Sequence, residues 1–163
     1  MRGPTSLVVG LLLCACGYRF TAPNSSLPAG LTSVQVPMFE NKTADPSLEL
    51  VFTQAARDQL QRAGRLGGDT AQGTLRGTVL TVSSGPFLAA PTLGRQPGMR
   101  VSVGVLFVLE KQGREVGRAG VNLIEDFPSG ADVLLTESNR EAALRRIADS
   151  AVREGLERLQ SAP

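Results

Sequence analysis

The sequence predicts an α+β fold, a two-layer sandwich in which two helices cover one face of a mostly antiparallel four-stranded sheet. Three segments in the middle of the chain alternate apolar and polar side chains, which is the period of a half-buried strand. Two flanking segments repeat apolar side chains at helical spacing. With one further strand near the start, the predicted order is β-α-β-β-β-α, in a single domain over residues 31–163.

The chain begins with the features of a lipoprotein signal, over residues 1–15. Arg2 supplies a positive charge, residues 7–13 form a short apolar core, and small residues precede Cys16. The apolar run is too short to span a bilayer, which needs about 20 apolar residues. Leu-Cys-Ala-Cys at residues 13–16 resembles the bacterial lipobox and predicts lipid attachment at Cys16. The alternative is a secretory signal with two incidental cysteines.

Lipid attachment at Cys16 predicts a domain that is tethered to a membrane. Residues 16–30, which contain several Pro, Ser and Asn, are typical of a flexible tether. Each buried methylene of an acyl chain contributes about 0.8 kcal/mol, so the several chains of a bacterial lipoprotein hold it firmly. The sequence has 2 cysteines and Cys14 lies in the signal, so we predict no disulfide.

The first strand and the first helix follow the tether. Residues 31–39 alternate, and Pro37 is expected to confine this strand to a sheet edge or to end it in a bulge, because proline lacks a backbone N–H. Asp45 and Pro46 form a typical N-cap and first-turn pair. Apolar side chains then recur at helical spacing until Gly64, where we predict that the helix ends.

The three central strands are predicted over residues 73–83, 99–111 and 115–126. Gln-Gly-Arg at residues 112–114 predicts a tight hairpin turn between the last two. Residues 84–98 are predicted to form a loop, and loops of this length in a compact domain are uncommon and often functional. In the second of these strands one face is apolar throughout, at Val101, Val103, Val105, Phe107 and Leu109.

The last helix has the clearest pattern. Ser-Asn-Arg-Glu at residues 138–141 matches a capping box, which predicts the start of the helix. On the opposite side, acids stand four residues before bases, as in Glu141 and Arg145, which indicates a solvated face. The buried stripe is expected at Leu144, Ile147, Ala148, Ala151, Val152, Gly155, Leu156 and Leu159.

The residue types exclude several kinds of catalytic site. There is no histidine, and acylation would leave no free thiol, so zinc sites, cysteine nucleophiles and histidine bases are excluded. Glu125 and Asp126 are adjacent carboxylates, but neighbours on a strand point to opposite faces. No phosphate loop or dinucleotide fingerprint is present. We predict a binding or structural protein without a cofactor rather than an enzyme. The remaining enzymatic alternative is a hydrolase that uses Ser or Thr with a carboxylate partner or with a lysine, of which the chain has only Lys42 and Lys111.

The charge balance argues against nucleic-acid binding. The sequence has 17 basic and 15 acidic residues, which is a nearly neutral balance. Secretion also argues against nucleic-acid binding. All the basic residues except Lys42 and Lys111 are arginines. Arginine binds phosphate groups bidentately, as an anionic lipid would require, but a GC-rich genome produces the same bias.

Two motifs near the start of the predicted domain bear on identity. Cys-Gly-Tyr-Arg-Phe occupies residues 16–20, and Phe-Glu-Asn-Lys-Thr occupies residues 39–43, shortly before Pro46. Together they resemble the LptE family of outer-membrane lipopolysaccharide-assembly lipoproteins. The resemblance implies two helices against a four-stranded sheet, in agreement with the predicted fold. It also implies a lipid-anchored protein on the periplasmic side of the outer membrane. Gly17, directly after the lipidated cysteine, agrees with this location.

The resemblance implies partners and contact residues as well. Members of the family sit in the lumen of the β-barrel translocon LptD, where they plug the barrel, help it assemble and contact lipopolysaccharide through basic residues in loops. Arg95 and Arg100 are the candidate lipopolysaccharide contacts, whereas residues 131–136, before the last helix, contain no base. The candidate barrel contacts are Tyr18, Phe20, Phe87, Leu88 and Leu93.

Each of these contact residues also has a structural alternative. Phe87, Leu88 and Leu93 would be buried if the loop folds back on its own sheet. Tyr18 and Phe20 would pack in a short extra strand or along the tether, and the two arginines would be ordinary solvated surface. As a whole, the sequence predicts a barrel-binding accessory lipoprotein; the alternative is a lipid-tethered periplasmic module for another envelope ligand such as peptidoglycan.

Overall fold

In the described part of the chain, five strands form one mixed sheet, and two α-helices cover one of its faces. The structure is a computed structural model that describes residues 27–87 and 98–161. The α+β class and the two-helix layer agree with the sequence prediction. The elements are β1 (Val34–Gln35), β2 (Glu40–Asn41), α1 (Leu48–Arg62), β3 (Gly73–Phe87), β4 (Gly98–Lys111), β5 (Arg114–Pro128) and α2 (Val133–Ser161).

The strands β3, β4 and β5 form a long antiparallel meander. A two-residue turn joins β4 to β5, and both of its residues, Gln112 and Gly113, have a positive φ, of 52° and 75°. Such turns match the twist of the flanking strands, so the predicted hairpin is confirmed. The strand β3 extends to Phe87, beyond the predicted end at residue 83, and Gly98 already belongs to β4.

The prediction of one strand over residues 31–39 and of a four-stranded sheet is wrong in detail. Two short strands, β1 and β2, replace the single one, and both run parallel to β3 at the edge of the sheet. Pro37 lies between them and cannot donate a ladder hydrogen bond, which accounts for the interruption and for the edge position. The result is a mixed five-stranded sheet.

Both predicted helix starts are also wrong. The residue before α1 is Ser47, which has a φ of 70°, and not Asp45. The helix α2 begins at Val133, ahead of the predicted capping box, where the Asp132 carboxylate accepts a hydrogen bond of 2.7 Å from the Leu135 N–H. A carboxylate just before a helix commonly accepts a hydrogen bond from a free N–H of the first turn.

The core lies between the sheet and the two helices, as the apolar patterns predict. The five apolar residues of the predicted β4 face and the whole predicted stripe of α2 are buried. The rings of Phe39 and Phe107 meet edge to face, 6.0 Å apart between centroids. Gly77 and Gly155 make room for these rings, because a Cβ at either position would overlap one of them. Leu27, in the predicted tether, is buried as well.

The other face of the sheet carries no helix from the described part of the chain, and it is lined by ion pairs, small polar side chains and the exposed Ile124. Arg76 pairs with Glu110, and Arg118 pairs with Glu115. Ser83 and Ser102 share a hydrogen bond across β3 and β4. We call this surface the open face. Within residues 27–87 and 98–161, neither helix has the length and apolar character that a membrane span requires.

Candidate functional site

The predicted contact residues that the structure describes lie at one end of the sheet. There β3 ends at Phe87, β4 begins at Gly98, β5 ends at Pro128 and α2 begins at Val133. We call this the loop end. Residues 88–97, between β3 and β4, lie outside the described residues, and so do the predicted contacts Cys16, Tyr18, Phe20, Leu88, Leu93 and Arg95.

Arg100 projects from β4 onto the open face, where it forms a bidentate ion pair with Asp126 of β5. Its Nε lies 2.6 Å from Oδ1 of that carboxylate, and its Nη2 lies 2.9 Å from Oδ2. Hydrogen bonding raises the pKa of Arg100 and lowers the pKa of the Asp126 carboxyl. The guanidinium is therefore a partly exposed, paired cation rather than a bare one.

A register shift between β4 and β5 selects this partner. The pairing is irregular between Leu109 and Glu110, and beyond it Arg100 lies opposite Asp126. Without the extra residue in β5, Arg100 would lie opposite Glu125. That residue instead points to the helix side, where its carboxylate accepts a hydrogen bond of 2.7 Å from Arg146. The prediction that the two adjacent carboxylates face opposite sides is confirmed.

Phe87 lies directly beside Arg100. The guanidinium carbon of Arg100 is 3.9 Å from the centroid of the Phe87 ring, which is a cation–π contact. The ring is half-buried and also lies over Gly98. The structure thus brings together two residues that the sequence assigned to different roles, one to the lipid and one to the barrel wall.

Among the described residues of the loop end, the first turn of α2 has the most exposed apolar side chains. Val133 and Leu134 are each 83% exposed, and Leu135 is 48% exposed. The turn has no acidic residue, and residues 131–136 have no basic one. Among the described residues, the loop end therefore presents an exposed apolar turn and an arginine that is already paired with a carboxylate.

The motif at residues 39–43 has a structural role. The Phe39 ring fills the space left by Gly77 in the core. The Asn41 side chain donates to the Asp45 carbonyl and to Glu49, and its oxygen accepts from both the backbone and the hydroxyl of Thr43. These bonds shape the turn from β2 into α1, so the motif specifies a fold rather than a contact surface.

The fold and this motif together point to one family. A family model described as lipopolysaccharide-assembly, LptE, matches residues 31–159, which include every strand and both α-helices of the structure except the last two residues of α2. The chain belongs to the LptE family. Its members are lipopolysaccharide-assembly proteins, and the predicted lipobox at Cys16 agrees with an envelope lipoprotein.

Solved structures share the fold of this LptE-family chain. A protein described as a lipoprotein from Caulobacter crescentus is 14% identical, with a TM-score of 0.55 over 76% of this chain and 89% of its own. A protein from Xanthomonas campestris is 13% identical, with a TM-score of 0.51 over 85% of this chain and 91% of its own. At these identities the likeness concerns the fold alone. The curated proteins contain no significant match.

One interaction that sequence reasoning missed ties three elements together. Arg140 of α2 forms ion pairs with Asp45, before α1, and with Glu137, and its Nε donates to the Ser84 hydroxyl of β3. The Arg140 and Asp45 side chains are only 18% and 16% exposed. The i,i+3 spacing of Glu137 and Arg140 is visible in the sequence, whereas the contact with Asp45 depends on the turn that Asn41 organises.

Proposed function

We propose that this protein is the lipid-anchored outer-membrane subunit that binds and plugs the LptD β-barrel. In this role it assists assembly of the barrel and delivery of lipopolysaccharide to the cell surface. The observation that carries the proposal is membership of the lipopolysaccharide-assembly family over residues 31–159. The predicted lipid at Cys16 supports attachment to the periplasmic side of the outer membrane.

The dimensions of the domain support a plug. A strand of 15 residues, such as β3, is about 50 Å long at the usual rise. The helix α2, with 29 residues, is about 43 Å long. A bilayer with its headgroups is about 40–45 Å thick. The long axis of the domain therefore matches the depth of a membrane-spanning barrel.

The character of the open face also supports a plug. Its charges are paired, either across strands, as Arg76 with Glu110, or within β5, as Arg118 with Glu115. Hydroxyl and amide side chains such as Ser83, Ser102 and Asn122 lie on the same face. The interior of a large outer-membrane barrel is polar, so a face with paired charges and polar side chains is compatible with its wall.

The contact residues proposed from the sequence retain their roles in this proposal. Arg95 and Arg100 are the proposed lipopolysaccharide contacts. A phosphate would have to replace Asp126 as the bidentate partner of Arg100, or bind at the edge of the existing pair. The proposed barrel contacts are Tyr18, Phe20, Phe87, Leu88 and Leu93.

Affinity purification from the native outer membrane tests the proposal. The tagged full-length protein is isolated in mild detergent, and the co-purifying proteins are identified by mass. We expect one large β-barrel protein in near-stoichiometric amount, together with lipopolysaccharide. The matched control is an unrelated tagged lipoprotein of the same membrane, which should not recover that barrel.

Two results would contradict the proposal. Recovery of the lipidated protein alone would exclude a stable barrel complex. Recovery with peptidoglycan fragments in place of a barrel would favour the tethered binding module instead.

A further inference from the structure

The outer edge of β3 is paired over only part of its length. The strand β1 covers Gly73 and Thr74, and β2 covers Thr78 and Val79. The ladder on this edge ends with one more hydrogen bond, of 2.9 Å, from the Lys42 N–H to the Val79 carbonyl. Across the described ranges, 27–87 and 98–161, no strand pairs with this edge from Leu80 onward.

The covering chain leaves the edge because of a well-defined turn. The Asn41 hydrogen bonds fold the residues after β2 back on themselves, and the ion pair of Asp45 with Arg140 holds the turn against α2. An open groove of about 750 Å³ lies alongside, lined in part by Pro46, Leu80 and Val82. This groove lies next to the edge that β2 has left uncovered.

The two free edges of the sheet differ in how they are protected. The outer strand β5 carries charged residues near both of its ends, and in its uncharged middle Arg158 of α2 donates a hydrogen bond to the Gly120 carbonyl. By contrast, residues 80–87 of β3 contain no charged side chain. Charges and covered carbonyls prevent a sheet edge from pairing with other chains, and an edge that lacks them is a template for strand addition.

We propose that residues 80–85 of β3 receive an added strand from a partner protein. The ladder ends there because Pro86 has no N–H to donate. Among the described residues that line the groove, Asp45 and Glu137 are carboxylates and Arg140 is the one cation. The surplus negative charge, on the half-exposed Glu137 side chain, selects an extended segment that carries a basic residue.

Hydrogen exchange on the complex isolated from outer membranes tests this strand addition. This experiment rests on the proposed function, because it requires the complex with the barrel. Amide exchange is followed by mass spectrometry in the purified protein and in its complex with the barrel. We expect residues 80–85 to exchange rapidly in the free protein and to be protected in the complex. A complex that forms while residues 80–85 exchange at the free rate would overturn the proposal.

A peptide probe tests the same edge without the barrel. The probe is a blocked ten-residue peptide of alternating Thr and Val with one central Lys, added to the purified protein at millimolar concentration. Slower exchange at residues 80–85 is expected, and its absence would overturn the proposal even if no barrel is recovered. Failure of barrel recovery with a positive peptide result would instead contradict the proposed function alone.

Charge-reversal variants on α2 give a matched pair. Glu137→Lys should weaken binding of the Lys peptide about tenfold, because it removes the surplus carboxylate of the groove. Glu141→Lys changes the same charge one turn along the helix, at a side chain that is 56% exposed, and should leave binding unchanged. Equal effects of the two variants would overturn the charge assignment.

Two further outcomes would overturn the choice of occupant. Protection of residues 80–85 in the free monomer would mean that another segment of the same chain covers the edge. Protection that appears only as the free protein dimerises, measured by sedimentation across a concentration series, would mean that a second copy covers it.

Discussion

At the scale of single residues, the pairing of Arg100 affects how this proposed contact could bind an anion. Its guanidinium is held by two hydrogen bonds to Asp126 and lies over the Phe87 ring. An anion that approaches this site meets a neutral pair, so it must compete with a carboxylate that is already in place. Asp126 thus limits the affinity of Arg100 for phosphate groups.

Removing the charge of Asp126 should therefore strengthen anion binding. We expect Asp126→Asn to increase the affinity of the purified protein for lipopolysaccharide, and Arg100→Ala to decrease it, in a direct binding titration. Arg76→Ala, a change at an ion-paired arginine elsewhere on the open face, is the control and should have little effect. A decrease in affinity for Asp126→Asn would show that the ion pair positions Arg100 rather than competing for it.

The Arg100 and Asp126 pair should also respond to acid. The pKa of Asp126 is lowered from its ordinary value of 3.8, so the pair contributes stability above that pH and loses it as the pH falls through the lower value in the folded protein. Chemical denaturation at pH 3 and pH 7 should show a smaller loss of stability for Asp126→Asn than for the unaltered protein. Equal losses in the two proteins would contradict the assignment.

Gly77 is a second position where one residue has a large effect. A Cβ there would lie 2.1–2.4 Å from atoms of the Phe39 ring. We expect Gly77→Ala to lower the free energy of unfolding by about 3 kcal/mol, because the core must shift to admit the methyl group. Gly120→Ala is the control, since a Cβ at Gly120 meets nothing within 4 Å. Equal stabilities of the two variants in urea denaturation would contradict this account of the packing.

At the scale of elements, Thr53 links α1 to the segment between β1 and β2. Its side chain is buried, its hydroxyl donates to the Glu49 carbonyl, and it accepts a hydrogen bond of 2.8 Å from the Phe39 N–H. This bond satisfies a backbone donor that leaves the sheet where the strand is interrupted. The helix and the interrupted edge are therefore stabilised together.

Thr53→Val tests how much this hydrogen bond stabilises the fold. The change keeps the shape of the side chain but leaves the Phe39 N–H without its acceptor, which should cost about 1–3 kcal/mol in the free energy of unfolding. Thr53→Ser keeps the hydroxyl and should cost less, about 1 kcal/mol for the lost methyl group. The reverse order in urea denaturation would contradict the assigned role.

The periodic elements could be predicted from the sequence because one face of each is buried. The stripe from Leu144 to Leu159 and the alternation from Val101 to Leu109 follow directly from burial on one side. The helix starts could not, because the motif at residues 138–141 also fits the interior of a longer helix and because Ser47 adopts a left-handed conformation. Helix ends depend on local geometry that periodicity does not encode.

The candidate site was predictable only in part, for similar reasons. The alternation pattern predicts Arg100 near the start of a strand, but it ends the preceding strand at residue 83 and so does not predict Phe87 beside it. Its pairing with Asp126 depends on the register shift near Glu110, and a shift of one residue changes every partner beyond it. The ion pair of Arg140 with Asp45 joins residues that are 95 positions apart, and no local pattern signals it.

At the scale of the whole molecule, the two halves of the sheet have different surroundings. Near the hairpin turn, β1, β2 and α1 all lie against β3. Toward the loop end, the outer edge of β3 is unpaired within the described residues, and α2 begins with an exposed apolar turn. The well-packed half stabilises the fold, and the loop end presents the surfaces that remain open to partners.

Cysteine labelling in the membrane tests the plug most directly. The sequence has cysteine only at Cys14 and Cys16, so after cleavage and acylation an introduced cysteine is the single reactive thiol. Ile124→Cys places it on the open face and Leu50→Cys on α1, at side chains that are 61% and 56% exposed. In isolated outer membranes, the account predicts that a maleimide labels both positions much more slowly than in the purified protein, with labelling restored by urea. Labelling of both positions at the rate of the purified protein would contradict it.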